Sequence, residues 1–340
     1  MKKILAAALV LVLALSLAAC GGEPQSSSAA DGSSQVSASS GLPDAEGGKT
    51  AAEMKIGIVQ LSEHPALDAA CKGFVDTLVA AGFSAENIEI QNAQGEQSNC
   101  APIVNKFVND KVDLILAIAT PAAQAAAQAT KDIPILVTAV TDPADAGLVA
   151  SNEKPGGNVS GTSDMNPIDD QVALLQKLVP TAQTVGVLYC SSEANSKLQA
   201  DLAVASMESA GLTTKVYTVA ETSEINAVVT KITQECDALY IPTDNLFASN
   251  MAAVTQVAIP AKLPVICGES GMVDQGGLAT YGLNYENLGK MTGQQAIDIL
   301  LNGAAVADMP IGYSAEADLT LAVNQETADA IGVVIPDDLK

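Results

Sequence analysis

From Met54 onward, two rhythms of apolar positions take turns along the chain. Short continuous apolar runs fit strands buried on both faces; apolar residues three and four apart fit helices with one buried side. Ile56-Gly57-Ile58-Val59-Gln60 reads as a strand. Pro65 to Ala81 follows as a helix, with Leu67, Cys71, Phe74 and Leu78 on its inner face and Gly82 as its stop. Strands over Ile88 to Ile90, Asp113 to Ile118 and Ile133 to Val140 alternate with helices over Ala101 to Asn109 and Pro121 to Ala129. The alternation restarts after Val159. Helices are expected over Pro167 to Leu178, Ala194 to Ala210, Ile225 to Gln234 and Leu246 to Ala258. Strands are expected over Thr184 to Tyr189, Lys215 to Val219, Ala238 to Ile241 and Val265 to Cys267. A tail adds a strand (Leu278 to Leu283), a long helix (Glu286 to Leu301), a strand (Leu319 to Val323) and a short helix (Thr327 to Ile331).

Two successive runs of strand–helix units predict an α/β protein of two doubly wound, parallel-sheet lobes. The tail is long enough to cross back to the first lobe and return, which makes the hinge multi-stranded. The expected division is 54–162 with 284–317 for the N-terminal lobe, and 163–283 with 318–340 for the C-terminal lobe.

The chain before Met54 has a different character. Met1, Lys2 and Lys3 precede Ile4 to Ala19, which is apolar except for Ser16 and, at 16 residues, shorter than the ~20 a spanning helix needs. Leu17-Ala18-Ala19-Cys20-Gly21 resembles a bacterial lipobox, so 1–19 reads as a signal peptide and Cys20 as the lipidated residue. An ordinary cleaved signal with an incidental cysteine is the alternative. Residues 20–53, rich in Ser, Gly and Ala, read as a flexible tether. Together they place a soluble body outside the cell membrane, held by lipid.

Charge narrows the partners. The chain carries 39 acidic and 16 basic residues for a net charge of -23, with one histidine and no tryptophan. All the basic residues are lysine. A surface this acidic repels nucleic acid. One histidine rules out a multi-histidine metal centre within the chain. Without arginine there is no guanidinium fork, so a bound carboxylate must be held by backbone N–H groups, hydroxyls, amides or lysine. The five cysteines after Cys20 (Cys71, Cys100, Cys190, Cys236 and Cys267) show no CxxC spacing. Buried free thiols are the default reading, with room for one disulfide.

Ligands of open parallel sheets bind beyond the carboxyl ends of the strands. The residues there are Gln60, Ser62 and His64; Thr120, Pro121 and Ala122; Thr141 and Asp142; Ser192 and Asn195; Asp244 and Asn245; and Glu269. Small hydroxyls, amides and carboxylates recur at strand ends in both lobes, as a polar-lined cleft requires. Thr120 before Pro121, and Ser192 before Ala194, are placed to cap helices whose free N–H groups would take a carboxylate. Singly, each is equally explained as a cap, and Asp142 before Pro143 as a turn residue. Enzymatic signals are thin. Gly268-Glu269-Ser270-Gly271-Met272 misses the GxSxG elbow at Met272, and no phosphate-binding loop occurs. No catalytic residue, cofactor or metal is expected.

These loops resemble a known family, the substrate-binding lipoproteins of ABC transporters of the tryptophan/aromatic amino-acid type. The similarity runs from about Met54 to the C-terminus. It is carried by His64-Pro65-Ala66-Leu67-Asp68, Gln91-Asn92-Ala93-Gln94-Gly95, Asp113 through Ala123 and Thr141-Asp142-Pro143. In the second half the matching segments are Ser192-Glu193-Ala194-Asn195-Ser196, Tyr240 through Asn245, Ala279-Thr280-Tyr281-Gly282 and Leu288-Gly289. The resemblance implies a type I periplasmic-binding-protein-like fold closing over one amino acid, and a partner permease with its ATPase. It implies a ligand carboxylate near Thr120, Ala122 and Ser192, and an ammonium at Asp244, perhaps with Glu269. His64, Asn195 and Asn245 would line the cleft. A nucleoside or sugar ligand, a hydrolase using His64 and a purely adhesive lipoprotein remain the other readings. The absence of Trp and the scarcity of Tyr and Phe at the loops weigh against sugar.

Overall fold

The computed structural model describes residues 49–315 and 318–340. The expected signal peptide, Cys20 and nearly all of the tether lie outside the described residues. The Lys49 ammonium pairs with Asp113 at 2.6 Å.

Two six-stranded sheets form the framework. The first contains β1 (Ile56–Gln60), β2 (Ile88–Asn92), β3 (Leu114–Ile118), β4 (Ile135–Val140), β5 (Val159–Ser163) and β11 (Gly312–Tyr313), in spatial order β11-β5-β4-β3-β1-β2. Every pairing in it is parallel. The second contains β6 (Thr184–Cys190), β7 (Thr213–Val219), β8 (Ala238–Ile241), β9 (Val265–Cys267), β10 (Ala279–Gly282) and β12 (Thr320–Val323), in order β12-β10-β9-β8-β6-β7. Only β12 runs antiparallel there. In both sheets the chain reverses its winding at the first strand, which opens a crevice at the carboxyl ends.

Among the described residues ten α-helices flank the sheets: α1 (Pro65–Ala80), α2 (Gln97–Asp110), α3 (Thr120–Ala129), α4 (Ile168–Leu178), α5 (Ala194–Ser209), α6 (Ile225–Glu235), α7 (Asn245–Ala258), α8 (Ser270–Asp274), α9 (Tyr285–Leu300) and α10 (Gln325–Ile331). Three segments pass between the lobes: after β5, after β10 and after β11. The alternation of side chains along a strand divides the second core into two faces. Val185, Val187, Tyr240 and Ile266 pack on one side; Leu188, Leu239, Ile241 and Val265 pack on the other.

The α/β architecture of two parallel-dominated sheets agrees with the sequence pattern, and the differences are local. β5, Val-Ser-Gly-Thr-Ser, is a fully buried strand without an apolar run. Its small residues answer a steric demand: a Cβ on Gly161 would lie 2.0 Å from the Val137 carbonyl oxygen. α2 begins at Gln97 rather than Ala101, because its first turn is mostly exposed and polar. α8, at five residues, is too short to show a helical period in the sequence. Two expected caps also differ. Ala119, not Thr120, is the N-cap of α3, with Thr120 and Pro121 already in the first turn. Glu193, not Ser192, precedes α5.

Candidate functional site

The lobes face each other across a crevice of about 750 Å³, and next to it, with Asn245 common to both, lies a buried cavity with room for about 10 Å³, close to one water-sized group. Elements of the first sheet bring His64, Ala66, Leu67, Ala139 and Thr141 to the cavity; the segment after β5 brings Asp164. α5, the β8–α7 turn and the start of α8 bring Asn195, Thr243, Asp244, Asn245 and Glu269, and Tyr285 opens α9 beside them.

The lobes touch through direct side-chain bonds. Gln199 Nε2 donates to Thr141 Oγ1 at 2.8 Å; on the C-terminal side of the crossing after β5, Asn166 Nδ2 donates to Thr243 Oγ1 at 3.0 Å. Further out, Gln97 Nε2 donates to the Ser192 carbonyl at 3.1 Å. At the cavity, His64 Nε2 lies 3.2 Å from Asn245 Oδ1. The Asn245 amide is oriented by its Nδ2, which donates to Glu193 at 2.6 Å, so His64 Nε2 must carry the proton. Burial pushes the His64 pKa below its ordinary value, which keeps the ring neutral near pH 7. Its Nδ1 is therefore a bare acceptor, buried and without a partner.

Four buried carboxyl groups gather here, Asp164, Asp244 and Glu269 lining the cavity and Glu193 lining the crevice beside it, with no lysine among the lining residues. Most of their oxygens are already satisfied. Asp244 caps α7, accepting from Phe247 N at 3.1 Å and from Cys190 N at 2.7 Å. Glu269 caps α8 through Gly271 N and Met272 N at 2.6 and 2.9 Å. Glu193 accepts from Asn245 N, Leu246 N and the Asn245 amide. Asp164 differs: Oδ2 accepts from the Tyr285 hydroxyl at 2.9 Å, whereas Oδ1 has no partner. Burial raises all four pKa values, to about 6 for Asp164, about 7 for Glu269 and about 8 for Asp244; the neighbouring Glu193 charge adds to the last. Asn195 Oδ1 is a third buried acceptor without a donor.

The thirteen residues read from the sequence are thus divided. His64, Thr141, Asn195, Asp244, Asn245 and Glu269 line the buried cavity. Ser62 and Ser192 line the outer crevice, where the Ser62 hydroxyl is buried and unpartnered. Gln60 is turned inward, donating to the Ser62 carbonyl and Asp68. Asp142 holds its own turn, accepting from Ala144 N, Asp145 N and the Asn152 amide. Thr120 and Ala122 are buried at the start of α3, and Pro121 borders a separate surface groove. None of these five lines the cavity or the crevice. Asp164 and Tyr285 were missed. Reading the residue after β5 would have found Asp164, but β5 has no apolar run to announce it.

Residues 55–340 match the model of the family described as ABC transporter substrate binding protein. The chain belongs to that family. Its relatives bind substrates rather than transform them. A tyrosine-binding protein of Clostridioides difficile is 45% identical over 282 residues, covering 82% of this chain and 81% of that one. Among solved structures, an ABC domain from Streptococcus pneumonia in complex with L-Trp is 39% identical with a TM-score of 0.80. The ligand-free, open structure of CD0873 from Clostridium difficile, a substrate-binding protein with adhesive properties, is 48% identical with a TM-score of 0.65. Each comparison covers 84% of this chain and 97% of the other. The better superposition falls on the ligand-bound relative despite its lower identity. The lobes of this binding protein therefore stand nearer the ligand-bound arrangement, in keeping with the bonds between them.

Other chemistry is limited. Among the described residues all five cysteines are free, and burial raises the Cys71 and Cys100 thiols to about 11. No group of three or more His, Cys, Asp and Glu is arranged there to hold a metal ion. Among the described residues no helix is long and apolar enough to cross a membrane.

Proposed function

We propose that the chain is the extracytoplasmic, lipid-anchored binding component of an ABC importer, capturing an amino acid with an aromatic side chain between lobes 54–162/284–317 and 163–283/318–340. The observation that carries the reading is the set of unpartnered atoms in the cavity. His64 Nδ1, Asp164 Oδ1 and Asn195 Oδ1 are all acceptors, and all are buried. Buried acceptors without donors are costly, so a bound group must supply several N–H bonds. An ammonium supplies three, with the positive charge that Asp164 requires. The similarity to proteins that bind tyrosine and L-Trp supports an aromatic side chain. Closure about the three crossings would exclude water from the bound amine. Cys20 would carry the lipid, and a membrane permease with its ATPase would receive the ligand.

Thermal-shift screening with the twenty amino acids, nucleosides and simple sugars tests the ligand class, since a ligand of the native state raises stability in proportion to ln(1 + [L]/Kd). Stabilisation by Tyr, Trp or Phe is expected; stabilisation by a sugar alone would overturn the reading. For the anchor, Cys20→Ala should move the protein from the membrane fraction to the soluble fraction.

A further inference from the structure

We infer that His64 and Asn245 form a gate between the buried cavity and the outer crevice, and that His64 couples capture of the ligand's amine to closure of that gate. The coupling rests on an ammonium occupying the interlobe cavity; the gate rests on the geometry of the loops alone.

Three loops pass from crevice to cavity at one level. Before α1, Glu63 lines the crevice and His64 the cavity; at the start of α5, Glu193 lines the crevice and Asn195 the cavity; at the start of α7, Leu246 lines the crevice and Asp244 the cavity. Asn245 lines both. The partition therefore stands where these loops meet, with His64 from the N-terminal lobe against Asn245 and Glu193 from the C-terminal lobe. His64 Nε2 lies 3.2 Å from Asn245 Oδ1 across it.

The C-terminal half of the partition is built without help from the other lobe. Asn245 Nδ2 donates to Glu193 Oε2 at 2.6 Å, Asn245 N donates to the same oxygen at 3.2 Å, and Leu246 N donates to Oε1 at 3.1 Å. These bonds turn Asn245 Oδ1 away from Glu193 and leave it to face His64. His64 precedes α1, yet its side chain makes no capping bond, so the ring is free to serve Asn245. It reaches that partner only when the lobes meet. The gate is thus shut in the closed arrangement and open when the lobes part.

The proton on His64 ties the gate to the ligand. A neutral imidazole has one N–H and one lone pair. With the proton on Nε2, the ring donates to Asn245, and Nδ1, buried and without a partner, accepts from an ammonium. With the proton on Nδ1, both contacts fail together: Nε2 sets a lone pair against Asn245 Oδ1, and Nδ1 sets an N–H against the ammonium. Capture and closure select the same tautomer, so each strengthens the other by reciprocal linkage.

The chain has one histidine, so its ring signals stand alone in a nitrogen-15 NMR spectrum. The probe is whichever of L-tyrosine, L-tryptophan and L-phenylalanine raises the melting temperature most. In the probe-loaded protein His64 should carry its proton on Nε2, protected from exchange with water. Asn245→Ala keeps the backbone bonds to Glu193 and removes the gate's acceptor. It should release labelled probe into excess unlabelled probe about tenfold faster or more, while its affinity falls by a smaller factor, because an open gate quickens binding as well as release. In that variant the His64 Nε2 proton should exchange with water, a change that loss of a ligand contact alone does not produce. A proton on Nδ1 in the loaded wild-type protein overturns the coupling, and this measurement needs no variant to fold. Unchanged release in folded Asn245→Ala overturns the gate, as does an affinity loss equal to the gain in release rate. In each of these cases the probe still binds and the proposed function stands. If none of the three amino acids raises the melting temperature, the ligand reading and this inference fall together.

Discussion

Asp164 and Asp244 show how two buried carboxylates in one cavity can do different work. Both Asp244 oxygens are held by backbone N–H groups, which makes it first a cap of α7 and a tie to β6. Asp164 keeps one oxygen free, and Tyr285 fixes the other. Asp164→Asn should weaken binding of the preferred amino acid at least tenfold, about 1.4 kcal/mol or more, while Asp244→Asn, which preserves a capping oxygen, should weaken it less. Calorimetry on the two folded variants decides, and the reverse order would sink the division of roles. The sequence makes Asp244 conspicuous because it follows an evident strand and precedes an evident helix. Asp164 follows Val-Ser-Gly-Thr-Ser, whose burial comes from close backbone packing rather than apolar side chains, so its position in the hinge is invisible until the fold is known.

Helix α9 illustrates what sequence periodicity carries and what it omits. The pattern places the helix within a residue of its observed bounds, but not the face it presents or the partner it meets. That partner is α1, and the contact is made by glycines. A Cβ at Gly73 would come within 2.1 Å of the Glu286 carbonyl oxygen; one at Gly289 would come within 2.0 Å of the Ala70 carbonyl oxygen. Since the obstacles are backbone atoms, neither can rotate away. Gly289→Ala should therefore cost ~1–3 kcal/mol or more by overpacking, although alanine is the better helix former. Gly157→Ala, where a Cβ would meet nothing within 4 Å, is the control and should be close to neutral. Equal denaturant midpoints for the two variants would show that the helices separate freely. α1 also begins at the cavity, so this packing fixes where His64 stands relative to Tyr285, the first residue of α9.

The closed arrangement depends on a few bonds across the cleft, of which Gln199 to Thr141 is the shortest fully buried one. Gln199→Ala leaves the Thr141 hydroxyl without its donor and should shift the ligand-free population toward open forms. Small-angle scattering should then give a larger radius of gyration without ligand and the same radius with it. An unchanged ligand-free radius would mean this bond does not hold the lobes.

The charge of the cleft makes stability and binding respond to pH in opposite directions. Unfolded carboxyls titrate near 4, whereas burial holds Asp164 at about 6, Glu269 at about 7 and Asp244 at about 8. Between these limits the folded chain keeps protons that the unfolded chain has lost, so folding stability falls as pH rises. His64 has the opposite sign: its lowered pKa makes the unfolded chain bind the extra proton, and that contribution lies mainly below about 6.5. From pH 6.5 to 8 the carboxyls dominate, and the melting temperature of the ligand-free protein should decline. An ammonium entering the cavity stabilises the ionised carboxylates, so binding should release protons and strengthen over the same interval. Melting curves across that range, with calorimetry in two buffers of different ionisation enthalpy, measure both trends. Proton uptake on binding, or a melting temperature that rises with pH, would show that these carboxyls are compensated by something other than the ligand.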